Sequence, residues 1–327
     1  MRVAVVGATG AVGEAVVDAL RHDPHKRVDA VVGIAQRLPT SPRPDVQWHA
    51  LDPATADLTP HLRGVDALVN VGRARAASTA PGAALDDAAL ARRVLETAVR
   101  AGVLNLVQLS SFLAYAPAGP GGAAVDEGWP TDGLPTSPAS RSAAALERLL
   151  DEFGAQHEVA RMVRIRSGLV LGPGVRQQVL ARRGLLAGLL RLVEHVPVVP
   201  GLDVGGVPVV HHDDLAAAVA EAVTGPAFGA YNVALGEPLR LVDVATALGA
   251  RPVSVPVDLV RRGASLADRL LERLPWAARG SASGWFEVLA HAPGLDTRRA
   301  QDGLQWTPRH PLDQALRSTL VASCVAP

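Results

Sequence analysis

Short apolar runs alternate along the first half of the chain with longer segments whose apolar residues return every three or four positions. Val3–Val6, Ala30–Ile34, Val46–Leu51, Ala67–Val71 and Leu104–Leu109 are bounded by charges or breakers and predict strands buried on both faces. Between them, Val12–Leu20 and Leu85–Ala101 predict helices. In the second, Leu90, Val94, Leu95, Ala98 and Val99 recur at helical spacing, and Gly102 is placed to stop it. A further helix over Ala143–Phe153 leads into a strand at Val159–Ile165. This alternation predicts an α/β fold built on a Rossmann-type, doubly wound parallel sheet.

From about Gly168 the elements shorten and proline and glycine punctuate them. The division expected is a dinucleotide-binding domain over residues 1–167 and a smaller, mainly substrate-binding part over 168–327, some of whose segments return to the sheet. Leu215–Val223 predicts a helix, with Asp213 and Asp214 placed to cap it and favour its positive end. Leu259–Leu274 is amphipathic, with Leu259, Leu266, Leu270 and Leu274 on one side, and predicts a helix laid on the core or over a cleft. Ala118–Pro138, rich in glycine and proline, predicts a long loop bordering a site.

The first strand runs directly into Gly7-Ala8-Thr9-Gly10-Ala11-Val12-Gly13 and then into the first helix. A chain that turns this sharply, and lets its backbone approach a pyrophosphate, needs glycine at the close points. The helix start then offers amide donors and a favourable dipole. Gly7, Thr9, Gly10, Ala11, Val12 and Gly13 are therefore candidate cofactor residues, joined by Val71 and Gly72 at the end of the fourth strand. The second strand ends in Gly33-Ile34-Ala35-Gln36-Arg37, with no acid to accept from a ribose 2′-hydroxyl. That favours NADP(H) over NAD(H), with Arg37 either meeting the 2′-phosphate or standing in solvent. Asp52 either contacts the adenine amine or caps a turn.

Composition narrows the function classes. The 327 residues carry 32 basic and 32 acidic side chains, so no basic excess points to nucleic acid. Cys324 is the single cysteine, which excludes an intrachain disulfide and fits a reducing cytoplasm. No cleavage region follows the apolar start, and the stretch Leu180–Leu192 is short and broken by Arg182, Arg183 and Arg191. Neither a secretory leader nor a membrane span is expected, and the expected location is cytoplasmic. No His/Cys/Asp/Glu group has metal-ligand spacing along the chain, and no G-x-S-x-G elbow is present, so neither a metal nor a serine hydrolase is expected.

Taken in order, the motifs resemble the extended and atypical short-chain dehydrogenase/reductase superfamily, in particular its NAD-dependent epimerase/dehydratase branch, over nearly the whole chain. Gly7–Gly13 matches its G-x-x-G-x-x-G, and Leu109-Ser110-Ser111 through Tyr115 its S-S-x-x-x-Y segment. Ala124-Val125-Asp126-Glu127 is similar to its acidic turn, Leu171-Gly172-Pro173-Gly174 to its G-P-G, and Val210-His211-His212-Asp213-Asp214 to its V-H-x-D-D. Tyr231-Asn232-Val233 and Leu304-Gln305-Trp306-Thr307-Pro308 resemble its late Y-N-V and G-W-x-P elements. The resemblance implies a small-molecule substrate and a homodimer face on the helices at Leu85–Ala101 and Ala143–Phe153.

One departure stands out. The resemblance implies a tyrosine two residues after Ser137 and a lysine four residues further on, yet those positions hold Ala139 and Ala143, with Glu147 keeping the register. The chain's only lysine is Lys26. Such a tyrosine passes the proton that accompanies hydride movement, and a positioned acid or base of this kind contributes about 10²–10⁴-fold. Ser111 occupies the branch's active-site serine position, and Tyr115 either lines the pocket or replaces the missing acid. His211 and His212 read as links between the two parts of the chain, and Asp126 and Glu127 as solvated loop acids. These features point to a tailoring enzyme of reduction, epimerisation or non-redox cyclisation or elimination, with a fairly apolar substrate. The alternative is a non-catalytic NADP(H)-binding sensor or partner protein.

Overall fold

In the computed structural model, which describes residues 1–73, 86–118, 124–175, 198–201, 205–247, 251–271 and 282–320, strands and helices alternate from the first residues. The chain runs β1 (Arg2–Val6), α1 (Ala11–Arg21), β2 (Ala30–Ala35), β3 (Val46–Ala50), α2 (Thr59–Leu62), β4 (Ala67–Asn70), α3 (Asp87–Arg100) and β5 (Asn105–Ser111). It continues through β6 (Ala124–Val125), α4 (Pro138–Gln156), β7 (Arg161–Ser167), β8 (Leu169–Leu171), β9 (Val198–Gly201), β10 (Val209–His211) and α5 (His212–Thr224). Then come β11 (Gly229–Val233), α6 (Leu241–Ala247), β12 (Arg251–Ser254), α7 (Val257–Leu271) and α8 (Ala282–His291). The described chain closes with β13 (Gly294–Leu295), α9 (Arg298–Gly303) and α10 (Leu312–Leu320).

Seven parallel strands form the main sheet in the order β11-β7-β5-β4-β1-β2-β3. Within β1, Val3 and Val5 join one core and Ala4 and Val6 the other, the alternation of a strand covered on both faces. The first core is closed by Val16 and Leu20 of α1 and by Leu215 and Val219 of α5. The second is closed by Leu90, Val94 and Leu95 of α3 and by Leu150 and Phe153 of α4. A third cluster gathers Phe112, Tyr115, Leu171, Val209, Leu295 and Leu316 around the short parallel pairs β8–β10 and β6–β13.

Two sequence expectations shift. α4 begins at Pro138, a turn and more ahead of Ala143, because Ser137 accepts a hydrogen bond from the Ser140 amide and Pro138 takes the first helical position. The amphipathic segment forms α7, yet Leu259 and Leu266 are 62% and 57% exposed, so these two positions do not lie on the core. Arg261 instead fixes the helix to α8, pairing with Glu287 and lying over the Phe286 ring. Among the described residues no helix is long and apolar enough to cross a membrane. Leu180–Leu192, Leu274 and Cys324 lie outside the described residues.

The chain between α1 and β2 is tied to α5 by Arg27, which binds Asp23 at 2.7 Å and Glu221 at 3.0 Å. Hydrogen bonds from Arg27 hold the buried Asp23 carboxyl down at about 2. A depressed carboxyl contributes stability above its unfolded value, which is lost as pH falls from there through about 2. Asp23→Asn is expected to lower stability at neutral pH by about 2 kcal/mol and to flatten the acid limb of a melting-temperature profile.

Candidate functional site

The crevice lies where the chain leaves β1 and β4, on either side of the point at which the strand order reverses. Gly7 ends β1 with φ +86°, and a Cβ there would stand 2.7 Å from the Gly72 nitrogen. A Cβ on Gly13 would stand 2.1 Å from the Gly7 carbonyl oxygen. The two glycines therefore let the loop, the first turn of α1 and the end of β4 close on one another. The turn is closed by the Gly10 amide donating to Gly7 O at 3.1 Å, and Gly10 caps α1 without a side-chain hydrogen bond. Thr9 borders the loop, and Ala11, Val12 and Gly13 supply the first turn, whose amides no side chain at the cap covers. This cradle suits the pyrophosphate of a dinucleotide.

Gln36 and Arg37 are exposed just beyond β2. Asp52 Oδ1 accepts from the Ala54 amide at 3.0 Å and from Gln36 Nε2 at 3.1 Å, so the acid caps the turn after β3. Val71 is buried, and the Gly72 amide donates to Asn70 Oδ1 at 3.1 Å. Asn70 in turn donates to Gln108 Oε1 at 2.8 Å. Sequence reasoning misses both buried amides. The available signal is a polar residue closing each apolar run, Asn70 after Ala67–Val69 and Gln108 after Leu106-Val107.

Ser111 ends β5, half-buried, with its Oγ accepting from the Leu113 amide at 3.3 Å. A small cavity of about 30 Å³ opens beside it, walled by Gly72, Ser110, Ser142 and Ala143, with Arg73 and Asp87 at its side. Ala139 and Ala143 stand one turn apart on α4. One turn further, Glu147 is fully buried and holds Ser110 Oγ at 2.5 Å and Arg166 Nη2 at 2.8 Å. Burial alone would raise the Glu147 carboxyl, but Arg166, Ser110 and Arg164 together bring it below the ordinary carboxylate value.

Tyr115 belongs to the same network. It is 2% exposed, donates to Asn232 Oδ1 at 2.7 Å and accepts from Arg166 Nη1 at 3.0 Å. Burial pushes its phenol up to about 12. Glu127 departs from its expected place in solvent. It turns inward to accept from the Asn232 amide at 2.7 Å, and burial raises its carboxyl. Asp126 stays exposed.

A second group of polar residues gathers where α5 begins. His211, 4% exposed, caps the helix, its Nδ1 accepting from the Asp213 amide. Burial lowers its imidazole to about 4. His212 packs against the Gly172 backbone, where a Cβ would fall 1.8 Å from the His212 ring. Asp214 is not the cap expected, a place His211 takes: it lies in the first turn, 2% exposed, and accepts from the His310 amide at 3.0 Å and from His310 Nδ1 at 2.9 Å. Between this corner and the glycine loop lies a cavity of about 520 Å³, lined by Thr9, Ala11, Glu14, Gly174, His212 and Asp213.

A parallel sheet with a glycine cradle at its topological switch defines a Rossmann-class dinucleotide-binding protein. The model of the NAD dependent epimerase/dehydratase family matches residues 3–234, and the chain belongs to that family. It is 33% identical over 338 residues to a 3-diazoavenalumate denitrifying reductase from Streptomyces sp, covering 95% of this chain and 97% of that one. Among solved structures, it is similar to a UDP-glucuronic acid 4-epimerase from Bacillus cereus in complex with NAD, with TM-score 0.70, 16% identity and coverage of 98% and 97%. A UDP-glucose 4-epimerase from Thermus thermophilus in complex with NAD gives TM-score 0.65, 22% identity and 98% coverage of both chains. At these identities the two epimerases establish the fold.

Proposed function

We propose that the protein is a nicotinamide-dependent reductase that acts on the electron-poor carbon of an aryl diazonium ion, and that it works without the tyrosine–lysine pair that its family resemblance implies. The observation that carries this reading is the alanine wall: Ala143 lines the cavity beside Ser111, and Ala139 stands one turn before it. Sugar epimerisation and ketone reduction both require a proton to leave or reach an oxygen as hydride moves. Without a positioned acid or base such steps lose about 10²–10⁴-fold. Reduction of an aryl diazonium has no such requirement. The diazonium carbon gains hydride, its bond to nitrogen breaks with the electron pair leaving on dinitrogen, and the positive charge passes to the oxidised cofactor. No alkoxide forms. The name of the 33%-identical relative, a denitrifying reductase of a diazo compound, supports this class of acceptor.

The dinucleotide supplies the hydride when bound, and the chain supplies the rest. The amides of Ala11, Val12 and Gly13 receive the pyrophosphate, and Arg37 takes the 2′-phosphate, making NADPH the preferred form. Val71 and Gly72 set the floor at the end of β4. Ser111 orients the acceptor, and Ala143 leaves room beside it where a larger side chain would stand. Tyr115, committed to Arg166 and Asn232, positions the β5 turn and transfers no proton. Tyr115→Phe is accordingly expected to cost about 1–3 kcal/mol of stability while turnover changes less than tenfold. A loss of activity without a loss of stability would make the phenol catalytic.

The test is to incubate the protein with NADPH and an aryl diazonium salt, following NADPH consumption, dinitrogen release and the arene product. Enzyme-dependent, stoichiometric formation of all three is expected. NADPH binding with no acceleration by the protein would overturn the reductase reading in favour of a cofactor sensor.

A further inference from the structure

One donor atom from each of His211, Asp213 and His310 lies within 4.8 Å of the others. The hydrogen bonds fix which ring nitrogens are available. His310 Nδ1 faces the Asp214 carboxylate at 2.9 Å and must carry the proton, leaving Nε2 a bare lone pair. Ser318 Oγ donates its hydrogen to Ala315 O at 2.8 Å, so it can only accept from His211 Nε2 at 3.3 Å. Nδ1 of His211 is then the bare nitrogen. It receives a long 3.3 Å contact from the Asp213 amide, and 3.6 Å away stands Asp213 Oδ2. A cation bound between this nitrogen and the carboxylate oxygen would take the place of the long contact from the amide. Two zinc ligands at ordinary bond lengths and a tetrahedral angle stand about 3.4 Å apart.

We propose that His211, Asp213 and His310 bind a divalent transition-metal ion of the zinc type, fastening the β10–α5 junction to the segment before α10. The donor set is two imidazoles and one carboxylate, which suits Zn²⁺. Asp214 and Ser318 hold the two rings by their second nitrogens, the outer-shell arrangement that orients ligating histidines. The His211 and His310 rings stack with centroids 4.0 Å apart, so binding an ion requires the rings to move off one another and turn their edges toward a shared point. Asp213, its side chain 55% exposed, also lines the 520 Å³ cavity, which provides the entry path and room for water as the remaining ligand. The Asp213 and Asp214 carboxylates balance the double charge.

Tag-free, chelator-stripped full-length protein is titrated with zinc sulfate against a chromophoric chelator, beside Asp213→Asn and His310→Gln. The wild type is expected to take up one equivalent, with affinity at least tenfold weaker in each variant, and zinc is expected to raise its melting temperature. X-ray absorption should report nitrogen and oxygen neighbours including imidazole. Asp213 is exposed, so its variant keeps the test sound if His310→Gln misfolds. Failure to bind an equivalent, or binding and thermal shifts unchanged in Asp213→Asn, would overturn the proposal.

Discussion

Glu147→Ala is expected to destabilise the fold by about 3–5 kcal/mol, the range for breaking a buried ion pair by removing one partner. Glu147 is fully buried between Ser110 at the end of β5 and Arg166 in β7, and Arg166 is itself 5% exposed. Deleting the carboxylate leaves that guanidinium charged and without its counter-ion, since Tyr115 Oη and the Glu127 carbonyl are neutral partners. The Glu147 carboxylate also joins α4 to two neighbouring strands, through Ser110 of β5 and Arg166 of β7, so the loss should appear in global unfolding. Denaturant titration followed by circular dichroism measures it. A change under about 1 kcal/mol would mean that water reaches Arg166 and that the network matters less for stability than its burial implies. Glu147→Gln, which keeps one acceptor for Ser110, should fall between the two.

The second large effect is on cofactor binding. Gly13→Val is expected to weaken NADPH by at least about 100-fold, a loss that ~2.7 kcal/mol suffices to produce. A Cβ at this position meets backbone atoms on two residues, Gly7 O at 2.1 Å and Ala8 Cα at 2.8 Å. Neither can step aside like a flexible side chain, so α1 must move off the loop and carry the first-turn amides with it. Calorimetric titration with NADPH reads the change, and thermal melting checks that the variant folds. Unchanged affinity in a folded variant would place the dinucleotide elsewhere.

The sheet and its cradle were legible in the sequence because both are local signals. Val3–Val6 and Leu104–Leu109 are apolar enough to require cover on two faces, and a glycine turn between strand and helix has few other uses. What stayed hidden depends on contacts between distant segments. His310 meets Asp214, and Glu127 meets Asn232, only because β10, β11 and the C-terminal segments fold back beside the sheet. Linear spacing therefore shows neither the His211–Asp213–His310 cluster nor the inward turn of Glu127. The stripe on α7 misleads for the opposite reason: its period is helical, but periodicity says which side is apolar and not what covers it. The alanines at 139 and 143 could be read, since Ser137 and Glu147 fix the register on either side. The place of Ala143 beside Ser111 comes from the packing of α4 on the end of β5.

Hydride delivery without a protein proton donor is read most directly from turnover of an aryl diazonium with NADPH deuterated at the transferred position, and separately with ordinary NADPH in D₂O. One deuterium, from the cofactor, is expected on the carbon that carried nitrogen, none from solvent, and a rate nearly flat with pH between about 6 and 9. Solvent deuterium at that carbon, or a rate governed by a titrating group in this range, would contradict it.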